Sequence, residues 1–249
     1  MLPRRVALNC LARTCCINAA VTARGMQQIG LAFVLAPALS WLYPENTARA
    51  RAFARYGGHS NTHVFMVPLY VGIVLSLEEQ IARGSLPEGA VGAVRETLAT
   101  TLSALGDSFF SGTLLPLWAL VSVCLLLAGQ IGLTAALAAL FLALLLLFRI
   151  LTFFAGLRHG MPVLARLKRL NLINWVDRLK MLNAVMVALV VWQLPLRHKP
   201  PFPWLHYGLG TAAILGAAWL VGRMRLPRIL LWALLLGALI LMDEGLISM

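Results

Sequence analysis

The chain has 249 residues, 60% apolar and only 12% charged, a balance that leaves too little polar surface to clothe a water-soluble globule of this length. Its formal charge of +12 does not point to nucleic acid, because the cations are scattered among apolar segments and form no Arg/Lys block interleaved with aromatics. Cys10, Cys15, Cys16 and Cys124 have no zinc-type spacing, so they read as reduced packing thiols, and neither a metal nor a cofactor is expected.

In chain order, Arg4 and Arg5 precede an apolar stretch that Asn9 and Arg13 interrupt before it reaches signal-peptide length. Residues 1–24 are therefore expected to form an uncleaved, interfacial amphipathic helix with Leu8, Leu11, Cys15 and Ile17 toward lipid and arginines toward headgroups. Met26 to Leu42 is apolar but short, and Pro44 to Tyr56 is rich in Ala and Arg. Asn61 to Leu77 is apolar again, yet it opens on Asn61, Thr62 and His63 and closes on Glu78, Glu79 and Gln80, groups that lipid penalises unless they meet water, ligand or protein. A polar link, Arg83 to Gly92, leads to a helical stretch, Ala93 to Leu105, that runs into Gly106 and Asp107. A carboxylate beside a long uncharged run is expected to be buried and paired. Discontinuous apolar pieces with polar ends mark broken or re-entrant helices, which survive at membrane depth only where they line a cavity or protein.

Ser108 to Phe148 contains no charge and holds two passes of about 20 residues each, with Gly129, Gln130 and Gly132 as the turn of a hairpin. Cations gather in Arg158 to Lys180 and in Arg223 to Arg228, placing both loops in the cytoplasm under the positive-inside tendency. Met181 to Leu196 and Leu205 to Val221 leave and return, with Arg197 to Pro203 outside, and Ile229 to Met242 makes a last pass toward Asp243 and Glu244. The fold class is an all-α integral membrane protein, a multi-span helical bundle in a single domain over residues 1–249. Its parts are the interfacial helix (1–24), a polar-ended working half (25–107) and transmembrane helices (108–249).

An ordered series of motifs then becomes recognisable. It opens with Leu11-x-Arg13-Thr14 and Gly25-Met26-Gln27-x-x-Gly30-Leu31-x-Phe33, and continues through Pro37, Leu42-Tyr43-Pro44 and Asn61-Thr62-His63. Leu77-Glu78-Glu79-Gln80, Gly106-Asp107-Ser108-x-Phe110, Gly112-Thr113-Leu114 and Pro116 complete it. Together these segments resemble the IID component of the mannose, fructose and sorbose phosphotransferase systems. The chain departs from that pattern at His59, Ser60 and Val64 around the Asn-Thr-His motif, at Thr100 to Ala104, where the family has Gly-Pro-x-x-Gly, and at Ser111.

The resemblance implies a subunit in the bacterial inner membrane that assembles with a IIC partner into a hetero-oligomer. Soluble IIA and IIB proteins would relay phosphate to the incoming hexose or hexosamine, so this chain would carry no phosphate and no catalytic residue of its own. A structural or regulatory membrane partner without sugar transport is the second function the residues leave open. The candidate substrate-binding residues are Asn61, His63, Glu78, Glu79 and Asp107. Asn61 and His63 offer an amide and ring nitrogens to sugar hydroxyls, or Asn61 caps a helix. Glu78 and Glu79 bind hydroxyls, seal a subunit interface with arginines, or end a helix in water. Asp107 binds sugar or caps the following helix. Arg149, inside the second long span, reads as a snorkelling or subunit-pairing charge.

Overall fold

The computed structural model describes residues 2–169, 171–197 and 204–224. Two compact units divide the chain, Met1–Leu179 and Lys180–Met249. The first begins with α1 (Arg4–Arg13) and a 3-10 turn, Thr14–Cys16. It continues with α2 (Gln28–Leu42), α3 (Asn46–Ala54) and α4 (Val67–Ala82). After α5 (Ala90–Gly106) comes a π-helical segment, Asp107–Leu114, and then α6 (Leu115–Leu127), α7 (Ile131–His159) and α8 (Val163–Arg169). Helix α9 (Leu172–Arg197) starts in the first unit and runs into the second, which also holds α10 (Trp204–Met224). These two cover the expected Met181 to Leu196 and Leu205 to Val221 segments. The expected last pass, Ile229 to Met242, and the acidic pair Asp243 and Glu244 lie outside the described residues.

The all-α membrane architecture expected from the sequence is the one observed. Two rods, Ala90–Leu127 with 38 residues and Ile131–His159 with 29, are long and apolar enough to cross a bilayer. The expected hairpin between them is present: α6 ends at Leu127, Gly129 adopts a φ of 78°, and α7 starts at Ile131. Trp118 and Phe141 stack across the hairpin with centroids 5.2 Å apart. The outer part of α7 presents Leu133, Leu140, Leu142, Leu144, Leu147 and Leu151 to the surroundings, as a lipid-facing helix does.

Helix α4 is the centre of the first unit. From Val67 to Leu75 every residue is buried, and Leu77, Glu78 and Ile81 follow, so this helix is enclosed on all sides. Pro68 sits in its first turn, where a missing N–H costs nothing. Helix α7 crosses it at two glycines. A Cβ on Gly72 would stand 2.3 Å from the Phe153 carbonyl oxygen, and one on Gly156 would stand 2.8 Å from that of Leu69. Lipid supplies no hydrophobic drive between helices, so close backbone approach at small residues is how such pairs gain contact.

Two prolines explain two local features. Pro37 lies inside α2 and leaves the carbonyl of Phe33, four residues earlier, without its helical donor. The Arg13 guanidinium fills that vacancy, donating from Nη1 to the Phe33 oxygen at 3.0 Å while its Cζ lies 4.4 Å from the Phe33 ring centroid. Pro116, at the start of α6, would press on the carbonyl of Gly112 in a regular helix, and the wide Asp107–Leu114 turn relieves that pressure.

Three expectations are corrected. The helical stretch expected over Ala93 to Leu105 is longer at both ends: it starts at Ala90, and the π-helical segment carries it past Gly106 and Asp107 as one rod. Ile17 faces the core rather than lipid, and α1 packs through Ala7 and Cys10 while Leu8 stays exposed; the tighter 3-10 turn after Arg13 alters the helical phase and turns Ile17 inward. Arg149 is neither snorkelling nor exposed for a partner: it donates to the Val64 carbonyl (2.9 Å) and to Thr14 Oγ1 (3.0 Å), fastening α7 to two distant turns.

Candidate functional site

The loop before α4 is built by pairing two segments far apart in sequence. Met26, held at a φ of 50°, forms a parallel bridge with Ser60. The Gln27 N–H donates to the Ser60 carbonyl at 2.8 Å, and the Ser60 N–H donates to that of Gly25 at 3.2 Å. The Gln27 side-chain amide continues the pairing, donating to the Thr62 carbonyl at 2.9 Å and accepting from the Thr62 N–H at 2.8 Å. A buried loop needs every backbone polar group satisfied, and one glutamine supplies a donor and an acceptor in the spacing of a strand. The Gly25-Met26-Gln27 and Asn61-Thr62-His63 motifs are thus one structural unit.

That unit presents His63. The imidazole is buried and lies almost parallel to Phe110, with centroids 5.5 Å apart. Its Cβ side presses on α5 at Gly106, where any side chain would overlap the ring: an added Cβ would lie 2.3 Å from His63 Cβ. The Phe65 N–H donates to Nδ1 at 3.3 Å, which assigns the proton to Nε2, 3.0 Å from Ser111 Oγ. Burial lowers the His63 pKa against an opposing pull from the Asp107 carboxylate, so the ring is neutral near pH 7 and donates from Nε2 to Ser111.

Asp107 and Asn61 are exposed on this chain's surface. The buried carboxylate expected at Asp107 is therefore corrected: its helical rod turns it outward, and Ser103 Oγ lies 3.4 Å from Oδ2. Neither residue caps a helix by its side chain, since α4 starts at Val67 after Met66 and the rod passes through Asp107. Asn61 lines a cavity of about 440 Å³ with His59, Ser60, Glu96, Ala99, Thr100 and Ser103. Glu96, Thr100, Ser103 and Asp107 recur at the three- and four-residue spacing of one helix face, a signal legible in the sequence that expectation passed over.

Glu78 sits elsewhere, at the far end of α4, and is completely buried. Arg55 donates to it from Nε (3.1 Å) and Nη2 (2.7 Å), Tyr43 from its hydroxyl at 2.7 Å and Tyr56 from its hydroxyl at 2.5 Å. All four acceptor positions of a carboxylate are taken by the protein. Burial and the Glu78 charge push both phenols well above the ordinary tyrosine pKa, so each remains a donor. Glu79 is turned away from this cluster: one oxygen accepts from the Leu2 N–H and the other lies 3.4 Å from Arg83. The five candidate residues thus separate. Asn61, His63 and Asp107 gather around the loop and α5, while Glu78 and Glu79 tie α4 to α3 and to the N-terminus. Among the described residues no set of His, Cys, Asp and Glu stands close enough to hold a metal ion.

Apolar rods facing outward in leucine, around a core in which Glu78, the one deeply buried carboxylate among the described residues, is enclosed by protein donors, define a helical integral membrane protein. The chain belongs to the IID component of the mannose/fructose/sorbose family of the phosphotransferase system, whose family model matches residues 2–195. The mannose-specific EIID component of Escherichia coli strain K12 is 35% identical over 138 residues, 54% of this chain and 47% of that protein. The fructose permease IID component of Bacillus subtilis strain 168 is 30% identical over 136 residues, 54% of this chain and 48% of its own. The chain thus matches about half the length of these curated relatives. Its fold is shared with one chain of the mannose transporter ManYZ in complex with microcin E492, at a TM-score of 0.61 and 23% identity over 98% of this chain and 96% of that one. A second solved membrane protein gives a TM-score of 0.68 at 24% identity, over 76% and 70%.

Proposed function

We propose that this chain is the D subunit of a sugar transporter in the bacterial inner membrane, and that with a IIC partner it forms the unit that binds a hexose or hexosamine and moves it toward phosphorylation by IIB, with IIA upstream. The observation that carries this reading is the convergence of the family's motifs on one place: Gly25-Met26-Gln27 holds the 60–63 loop, and Gly106 admits His63 against α5. The groups left facing outward there, Asn61 and Asp107 beside Ser103 and Ser111, are those that hydrogen-bond hydroxyls. The chain crosses the membrane several times in this reading, with the basic residues of the last turn of α7, of α8 and of the first turns of α9 on the cytoplasmic side.

The test is uptake and phosphorylation of mannose, fructose and glucosamine in cells carrying the complete set of components. Asp107→Asn and His63→Ala are each expected to lower uptake of the transported sugar by about tenfold, the effect of one hydrogen bond to a charged or positioned partner. Normal uptake by both variants would refute the placement. Expression without the IIC partner is expected to yield an unstable chain that transports nothing.

A further inference from the structure

We infer that the cavity between residues 59–61 and the first half of α5 is a hexose site of this chain that selects free sugar over sugar phosphate, with Glu96 as the selecting group. The inference rests on the transport reading above and locates a part of it that the family motifs do not mark. The volume of about 440 Å³ lies within the range of small-ligand pockets. Of its seven lining residues only Ala99 lacks a polar side chain.

The hydrogen-bonding character of the lining decides what it accepts. The Thr100 hydroxyl spends its proton on the Glu96 carbonyl at 2.9 Å, and the Ser103 hydroxyl points its own at Asp107. Both oxygens therefore face the cavity as acceptors. The Glu96 carboxylate can only accept; its one ionic neighbour among the described residues is Arg95, whose Nη2 lies 3.7 Å from Oε1. Arg95 is buried, at 5% exposure, while the Glu96 side chain is exposed. Asn61 and His59 carry no side-chain hydrogen bond among the described residues and supply the remaining donor and acceptor.

An acceptor-rich wall takes a donor-rich ligand. Adjacent hydroxyls of a sugar ring offer paired O–H donors to a carboxylate, whereas a phosphate group offers acceptors and negative charge to Glu96 and to Asp107 beyond it. The cavity thus holds the substrate and does not retain the product of phosphorylation.

The experiment uses membranes from cells expressing the full transporter with Ser103→Cys in this chain. Alkylation at position 103 is followed by mass spectrometry, with the exposed Cys16 of the same molecule as internal control. A transported hexose is expected to slow alkylation at 103 and leave Cys16 unchanged, and the corresponding hexose 6-phosphate is expected to protect neither. Glu96→Gln and Thr100→Val are each expected to raise the hexose concentration for half-protection by about tenfold, the loss of one hydrogen bond. Thr100→Val removes an acceptor from an exposed helix face and keeps the test valid if Glu96→Gln disturbs Arg95. Uptake in the same cells without hexose protection at 103 would overturn the site and leave the transport reading standing. Protection by the sugar phosphate equal to that by hexose would overturn the selectivity. Absence of both uptake and protection would overturn the site and the transport reading together.

Discussion

Replacing Glu78 by Gln separates a structural carboxylate from a sugar-binding one. In the native chain the carboxylate receives Arg55 twice and two tyrosine hydroxyls, with no exposed surface. A glutamine keeps the volume but removes the charge and turns an NH₂ toward groups that are themselves donors. Losing one partner of a buried pair costs about 3–5 kcal/mol. The lower end applies here, because Arg55 keeps an ion pair with Glu88 at 3.1 Å on its outer side. For a unit of this size, about 3 kcal/mol lowers Tm by roughly 6–12 °C. The assay is thermal unfolding of the detergent-solubilised transporter, followed alongside sugar uptake in cells. Arg55→Leu combined with Glu78→Leu removes both charges and is expected to recover only part of the loss, because the buried Tyr56 hydroxyl then lacks its acceptor. An unchanged Tm with uptake abolished would refute the structural assignment and return Glu78 to the sugar.

At the crossing of α4 and α7, Gly72→Ala is expected to lower stability by about 1–3 kcal/mol through overpacking, since the added methyl would meet the Phe153 carbonyl at 2.3 Å; an unaltered Tm would show that the helices part freely. Arg149→Leu removes the donor to Val64 and Thr14 and is expected to lower folded yield by several fold, whereas Arg149→Lys, with one donor head, recovers part of it. Equal yields of the two variants would show that the paired reach of the guanidinium is irrelevant.

How far the sequence announced these features depends on whether the signal is local. The outward face of α7 and the turn at Gly129 follow from an unbroken apolar run punctuated by glycine, and both appear where expected. Glu78 was visible as a charge at the end of an apolar segment, but its partners Arg55, Tyr43 and Tyr56 lie 22 to 35 residues away, and no local period links them. The same limit hid the Gln27 pairing with Thr62, which joins two motifs that read separately as polar punctuation. Asp107 was misjudged because a carboxylate beside a long uncharged run was assumed to enter it, whereas the rod turns its polar stripe away. That stripe, Glu96 to Asp107, was within reach of helical periodicity; it escaped because Asp107 was weighed as a single carboxylate and not as one member of a helix face.

The wide turn at Asp107–Leu114 also fixes a rotational phase. A π turn holds more residues than an α turn, so the polar face of α5 and the lipid-facing side of α6 are clocked relative to each other by the surplus chain within this segment. Deleting a single residue there would let the segment close into regular α turns with the two faces nearly in phase, whereas deleting one from the α turns just after it would rotate everything before by about 100° against everything after. Asp107, Ser103 and Glu96 would then swing toward the bilayer while the sequence on either side stayed intact. Spacing in the regular turns that flank this segment is accordingly as strict a requirement as the identity of any side chain on them, and the wide turn itself is where this rod best absorbs the loss of one residue.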